Sequence, residues 1–391
     1  MTDRRTLLKL GSGVALAGAA GLAWRASDQG VFSTGRGPAY EAWDQWNDGP
    51  AGSPLQLVRA AILAANPHNS QPWRFRAGHG GGDGIDVFAD RARNIGSIDP
   101  TLREMHIGLG CAIENLLLAA SAAGLATTLV LLPNAADQSH VAHVALAPGR
   151  SVVSPLHAAI PQRHTHRGPY ETNRRLEDSV FSSLAALGAD LPQVAVKWFT
   201  SEAARRDVGA RIIEAAQSIV ADADQSRDSG AWFRNSWSEV QDHRDGLTID
   251  AQALPAWLRV AAKILPPVDS ERADRIWLDN TRDVHVATAS AFGLVLARDA
   301  SDNAQRMQGG RLWQRMHLWA QTQGIAMHPL NQMPERADRE RSLGLAPRFQ
   351  RVLDDLIGNT GWHALMPFRL GYATRPALRS PRRRAEEVLQ A

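Results

Sequence analysis

The chain has one cysteine, Cys111, in 391 residues, so no intramolecular disulfide can form. Cys111 falls on the apolar face of a helical stretch and reads as core rather than nucleophile. Lysine is almost as scarce, with Lys9, Lys197 and Lys263 set against 40 arginines, so arginine clusters are ordinary background here. Little positive charge is left over: the formal net charge is +3 despite a pI near 9.4. Arg4, Arg5 and Lys9 supply that excess against Asp3, and without this segment the chain is nearly neutral, which argues against nucleic-acid binding. No Gly-x-Gly-x-x-Gly turn follows a strand and no Gly-x-Ser-x-Gly elbow occurs. The Gly78–Gly84 stretch is too glycine-dense and too late for a phosphate loop and reads as a flexible hairpin connection, so a dinucleotide-binding domain has no support.

What the chain does have is a polar loop, Asn66-Pro67-His68-Asn69-Ser70-Gln71-Pro72-Trp73, after the apolar run Leu55 to Ala65. Asn69 and Gln71 each offer a carbonyl and an amide and Ser70 a hydroxyl, a set able to meet a planar ligand whose edge alternates donors and acceptors. The alternative is a solvated turn after a helix stopped by Asn66-Pro67. Mid-chain, Arg163-His164-Thr165-His166-Arg167 places two guanidiniums four residues apart, on one side of a helical turn. Near the C-terminus stands Pro381-Arg382-Arg383-Arg384-Ala385-Glu386-Glu387-Val388, readable also as a frayed basic tail.

Together these stretches resemble motifs of the nitroreductase superfamily, and most closely its Acg-type members. His-Asn-Ser-Gln-Pro-Trp resembles the flavin loop, Arg163-x-Thr165-x-Arg167 the Arg-x-Ser/Thr-x-Arg signature, and the C-terminal stretch an Arg-Arg-Pro-Leu-Glu-Glu-Val ending. The last departs from the pattern at Arg384 and Ala385. The resemblance implies FMN as cofactor, with His68, Asn69, Ser70 and Gln71 on the ring and ribityl chain. It gives Arg163, Thr165 and Arg167 the phosphate or pyrimidine, and Arg382 and Arg383 the phosphate. Pro329 and Leu330 stand where family members offer a backbone N–H to flavin N5.

The chain is about twice the length of an ordinary nitroreductase subunit and contains a repeat. Gly110 to Leu125 aligns with Gly310 to Ile325 at a constant offset of 200, each copy apolar at helical spacing and ending at a glycine. Alternating segments near Ile85–Ala89, Val141–Leu146, Val194–Phe199 and Phe292–Ala297 predict strands. The expected fold class is α+β, nitroreductase-like, with two fused half-repeats forming a pseudo-dimer in one monomeric chain. The first half, 38–150, carries the Asn/Gln loop; the second, 151–391, carries the arginine motif and the C-terminal arginines, so one complete flavin site is expected. Residues 224–267, with Trp232, Phe233, Trp237 and Trp257, match a region that covers the flavin in the family, or else form ordinary aromatic core.

Residues 1–26 resemble a twin-arginine (Tat) export signal, with Arg4-Arg5 ahead of an uncharged run from Leu10 to Trp24. At 15 residues that run is short of the roughly 20 needed to span a bilayer, so export is favoured over an anchor. His157, His164 and His166 have no nearby cysteine to complete a metal set, and no metal site is expected. The implied protein is periplasmic or otherwise extracytoplasmic, with the Tat translocon as a transient partner and no stable membrane partner. Its implied activity is hydride transfer from flavin to a small nitroaromatic or quinone-like acceptor; the alternative is an Acg-type protein that sequesters FMN under a lid.

Overall fold

The computed structural model describes residues 20–78 and 84–390; most of the expected export signal, and residues 79–83 of the glycine-rich connection, lie outside them. The nine strands that matter are β1 (Trp73–Ala77), β2 (Gly84–Ala89), β3 (Leu125–Leu131), β4 (His140–Pro148), β5 (Val194–Phe199), β6 (Ala291–Ala297), β7 (Ala326–Pro329), β8 (His363–Gly371) and β9 (Leu389–Gln390). They form two sheets, ordered β9-β1-β2-β4-β3 and β5-β6-β8-β7. Apart from β9, which lies parallel to β1, every pairing is antiparallel. The first four strands and the next four therefore follow one path, first-second-fourth-third, with a 20-residue helix between the second and third strands of each.

Those helices, α1 (Arg103–Ala122) and α2 (Asn303–Thr322), are the repeated segments. Asp99 accepts from the amides of Glu104 and Met105 at 3.1 and 2.9 Å, and Asp302 from that of Ala304 at 2.8 Å, satisfying helix-start donors. Gly124 and Gly324 end the two helical stretches at φ 80° and 67°, the left-handed region that glycine enters without a Cβ penalty. The helices cross at Gly110 and Gly310, where a methyl group on either would run into a backbone carbonyl of the other helix, Met307 O or Ile107 O. Cys111 donates its thiol to Gly310 O at this crossing, 3.2 Å. Burial pushes that thiol's pKa upward, consistent with the core role expected for it.

The crossing is polar as well as close. Glu114 accepts from Arg311 at 2.8 Å and from Arg315 at 2.7 Å, and Asn115 from Gln314 at 2.8 Å. Each of these buried groups thus has a partner across the interface.

The four expected strands are present. The other five, β1, β3, β7, β8 and β9, did not stand out in the sequence. β1 begins at the last residue of the motif read as loop, although Trp73 and Phe75 point inward and Arg74 outward. β8 is buried along nearly its whole length and contains Pro367 and a bulge, which hide its period. The tails of the two strand sets cross. Residues 163–170, which follow the first set, bond to the second through His166 N to Met327 O, 3.2 Å, and the Tyr170–Ala373 bridge. Residues 380–390 return to the first set through Arg382 N to Ala39 O, 2.8 Å, and through β9. The chain's last segment, counted with 151–391 on sequence, thus completes the first sheet.

Candidate functional site

The loop begins where helix Pro54–Ala61, capped by Ser53, runs out. Asn66 folds it back: its Oδ1 accepts from Gln71 N at 2.7 Å and its Nδ2 donates to Ala64 O at 3.1 Å. His68, Asn69 and Gln71 all lie at positive φ, 46°, 56° and 53°. Strain of about 1–3 kcal/mol at each such residue persists only where surrounding bonds over-determine the backbone, and they do so here. Asn69 Nδ2 donates to Gly246 O at 3.1 Å and Pro381 O at 2.9 Å, while its Oδ1 accepts from Arg382. Gln71 Nε2 donates to Arg244 O at 2.8 Å and its Oε1 accepts from Arg383 N at 2.9 Å. The amides offered by sequence as ligand-edge groups are thus engaged with two distant parts of the chain, 244–246 and 381–383.

The arginines arrive at the same place. Arg163 donates to Leu63 O at 2.9 Å and Arg382 to Ala64 O at 3.3 Å, so both reach the turn between the helix and the loop. Arg383 donates to Gln71 O at 2.7 Å. Arg382 also lies over the Trp43 ring, 5.0 Å from its centroid, and Trp43 Nε1 donates to Ser380 O at 2.7 Å. Among the described residues, none of Arg163, Arg167, Arg382 and Arg383 is in an ion pair, although Arg163 and Arg382 are only 2% and 3% exposed. Burial lowers the pKa of Arg163 and of Arg167 to about 10. Burial, then repulsion from Arg163 and Arg167, lowers that of Arg382 further. Arg163, Arg382 and Arg383 each keep a buried Nε with no partner, and so does the Ser70 hydroxyl.

His68 sits at the edge of this cluster, its Nε2 3.0 Å from Ser229 Oγ. Burial, and then Arg167, hold its pKa down to about 4. His285 and His328, edge-on at 4.7 Å, are lowered well below the ordinary range by burial and by Arg369 and Arg167 among their neighbours. Neutral imidazoles therefore surround a permanently charged Arg167. Thr165 is half-buried between the two arginines of its motif.

Pro329 and Leu330 correct the sequence reading. Proline has no N–H, and the Leu330 amide already donates to Pro367 O at 2.8 Å while its side chain is buried in a separate apolar cluster. Neither offers a free backbone donor. Sequence reasoning also missed Trp43 and Arg369, and it placed a turn at Asp245-Gly246 without tying it to the loop. Arg369 is fully buried, donating to Gly168 O at 2.8 Å and lying 4.1 Å from the Tyr170 ring. A lone arginine within an apolar run was the signal for it. The turn 244–246 is held by Asp245, which pairs with Arg93 and with Arg234 at 2.7 Å.

Ser229, Arg244 and Gly246 touch the loop directly, Trp237 stacks on the buried Tyr40, and Trp257 is exposed.

No family model matches the chain. It is 25% identical over 348 residues to "Putative NAD(P)H nitroreductase Rv3131" of Mycobacterium tuberculosis, covering 85% of this chain and 90% of that protein. It is 33% identical over 116 residues to "Putative NAD(P)H nitroreductase acg" of the same organism, covering 29% of this chain and 34% of the relative. Among solved structures, the FMN-dependent nitroreductase NfnB from Mycobacterium smegmatis, in complex with NADPH, aligns at 15% identity and a TM-score of 0.40, covering 61% of this chain and 97% of NfnB. Along most of its length, this chain is thus similar to a protein named as a putative NAD(P)H nitroreductase.

Proposed function

We propose that the chain is an FMN-binding oxidoreductase of the nitroreductase superfamily, exported by the twin-arginine route, with one flavin site between two fused half-repeats. One observation carries the reading: the buried guanidiniums of Arg163 and Arg382 converge, joined by Arg167, with no ion-pair partner among the described residues, and the half-buried Arg383 follows them onto the loop at Gln71. Such a cluster is costly without an anion and suits a phosphate, which takes several charge-assisted bonds at once. The unpartnered Nε atoms and the Ser70 hydroxyl are donors in the right chemistry. Asn69 and Gln71 fit a different task, holding the arginine-bearing tail in place.

FMN bound here would supply a ring able to accept and pass on hydride. The chain's own residues orient its anionic end, keep a fixed positive charge at Arg167 and present neutral His68, His285 and His328 beside that charge. The matching strand orders and the mutual glycine crossing of α1 and α2 support the fused-half reading. The acceptor is read as a nitroaromatic or quinone-like small molecule.

A second reading, a flavin-sequestering protein, is favoured by the bonds that tie 244–246 down onto the loop. Purified protein settles the two questions in turn. Flavin absorbance, lost on replacing both Arg163 and Arg167 with alanine, supports the cofactor; colourless protein overturns it. Anaerobic bleaching by NAD(P)H then selects the oxidoreductase, and its absence the sequestering protein.

A further inference from the structure

Helix Ala256–Ile264 is amphipathic and sits the wrong way round for a water-facing helix. Its sequence, AWLRVAAKI, has two charges, Arg259 and Lys263, one turn apart. Both face inward, onto the buried carboxylate of Asp250: Arg259 Nε at 3.6 Å and Lys263 Nζ at 2.8 Å. Lys263 also donates to Gly30 O at 3.1 Å. No residue of the helix is buried: Val260 and Ile264 are half-buried, while Trp257, at 73%, and Leu258 stand exposed, followed by exposed Leu265 and Val268. Exposing these side chains to water forgoes the burial that normally fixes a helix of such composition.

Beside it runs the helix over residues 20–28, tied on by Arg25 Nε to Ile264 O at 3.4 Å. It adds Leu22 and Trp24 to the exposed apolar surface, and Phe32 follows at 74%. Tryptophan is favoured at the lipid headgroup boundary, and an amphipathic helix lying in that plane buries an apolar face of this kind.

We infer that the face made by helix Ala256–Ile264 and residues 20–32 seats the protein on a lipid surface. This departs from the expectation of no stable membrane partner and does not depend on the flavin reading. Trp257 and Leu265 insert into the headgroup boundary while Asp250 holds the helix's charges on the protein side.

The test uses the full chain, with vesicles of phosphatidylcholine and phosphatidylglycerol in a flotation assay. The wild type is expected to float with the vesicles, and Trp257→Glu combined with Leu265→Glu to partition at least tenfold less. Both sites are exposed, and an unchanged melting temperature verifies the fold. Equal flotation of variant and wild type would overturn the proposal, leaving the binding to other residues. Failure of the wild type to float would do the same. A dimer in solution that the double variant dissociates would assign the face to a second copy instead.

Discussion

A buried guanidinium without a carboxylate is expensive unless something anionic visits it, and this chain keeps several in one place. Removing one should therefore weaken retention of a phosphate-bearing ligand more than it weakens the fold. For Arg163→Ala and Arg383→Ala we expect FMN retention to fall by about 1–3 kcal/mol, the value of a charge-assisted bond. Flavin released from equal amounts of folded protein measures it, and undiminished content in both variants would reduce these residues to structural charges. Proton linkage offers a second test at a site away from the cluster. His106 is buried, its Nδ1 2.7 Å from Leu102 O, and burial lowers its pKa to about 4 from 6.5, with Arg306 and Arg91 adding to the shift. The unfolded chain then binds the proton more readily, so this contribution to stability is full above pH 6.5 and is lost as pH falls toward 4. Relative to His106→Asn, the wild type should lose up to about 1.4 kcal/mol per pH unit in that window. Urea unfolding of both proteins at pH 7.5 and 5 reads the difference, and parallel profiles would refute it.

At the scale of elements, the crossing of α1 and α2 is the feature that organises the molecule. The two glycines are mutual: each helix passes its backbone through the space that the other's missing side chain leaves. Gly110→Ala and Gly310→Ala should each destabilise by about 1–3 kcal/mol, because a methyl there must force two backbones apart. Thermal melts of the single variants test this; a loss at only one position would show that the crossing is not reciprocal. The same interface carries Glu114 between Arg311 and Arg315, so register and charge are set together. The turn 244–246 and the tail 381–383 depend on this frame only indirectly, through the loop that both of them clasp.

For the whole molecule, exchanged tails bring the cation cluster together. Residues 163–170 leave the first strand set for the second, and 380–390 make the return journey. The arginines are supplied once, so one site rather than two is expected. Heat-released flavin should amount to about one FMN per chain, and two per chain would require a second site that the asymmetry denies. If export follows Arg4-Arg5, replacing both with lysine keeps the charge but removes the planar fork and should trap yellow protein in the cytoplasm. Fractionation showing the lysine variant outside at the normal level would exclude the twin-arginine route.

Local order alone determined much of this protein. The 200-residue offset between Gly110 and Gly310, the strands at 84–89, 140–148, 194–199 and 291–297, and the tight loop at Asn66–Pro72 are all legible because period, glycine and proline act on neighbouring residues. The direct bonds between the loop and the distant arginines follow from no local rule. Tertiary structure alone decided what those groups do when they meet. Asn69 and Gln71 turn to Arg382 and Arg383, more than 300 residues away, and the Leu330 amide goes to Pro367. A side-chain amide's chemistry is fixed by sequence, but its partner is whichever buried group would otherwise go unsatisfied. That identity is set only when the two sheets close on each other.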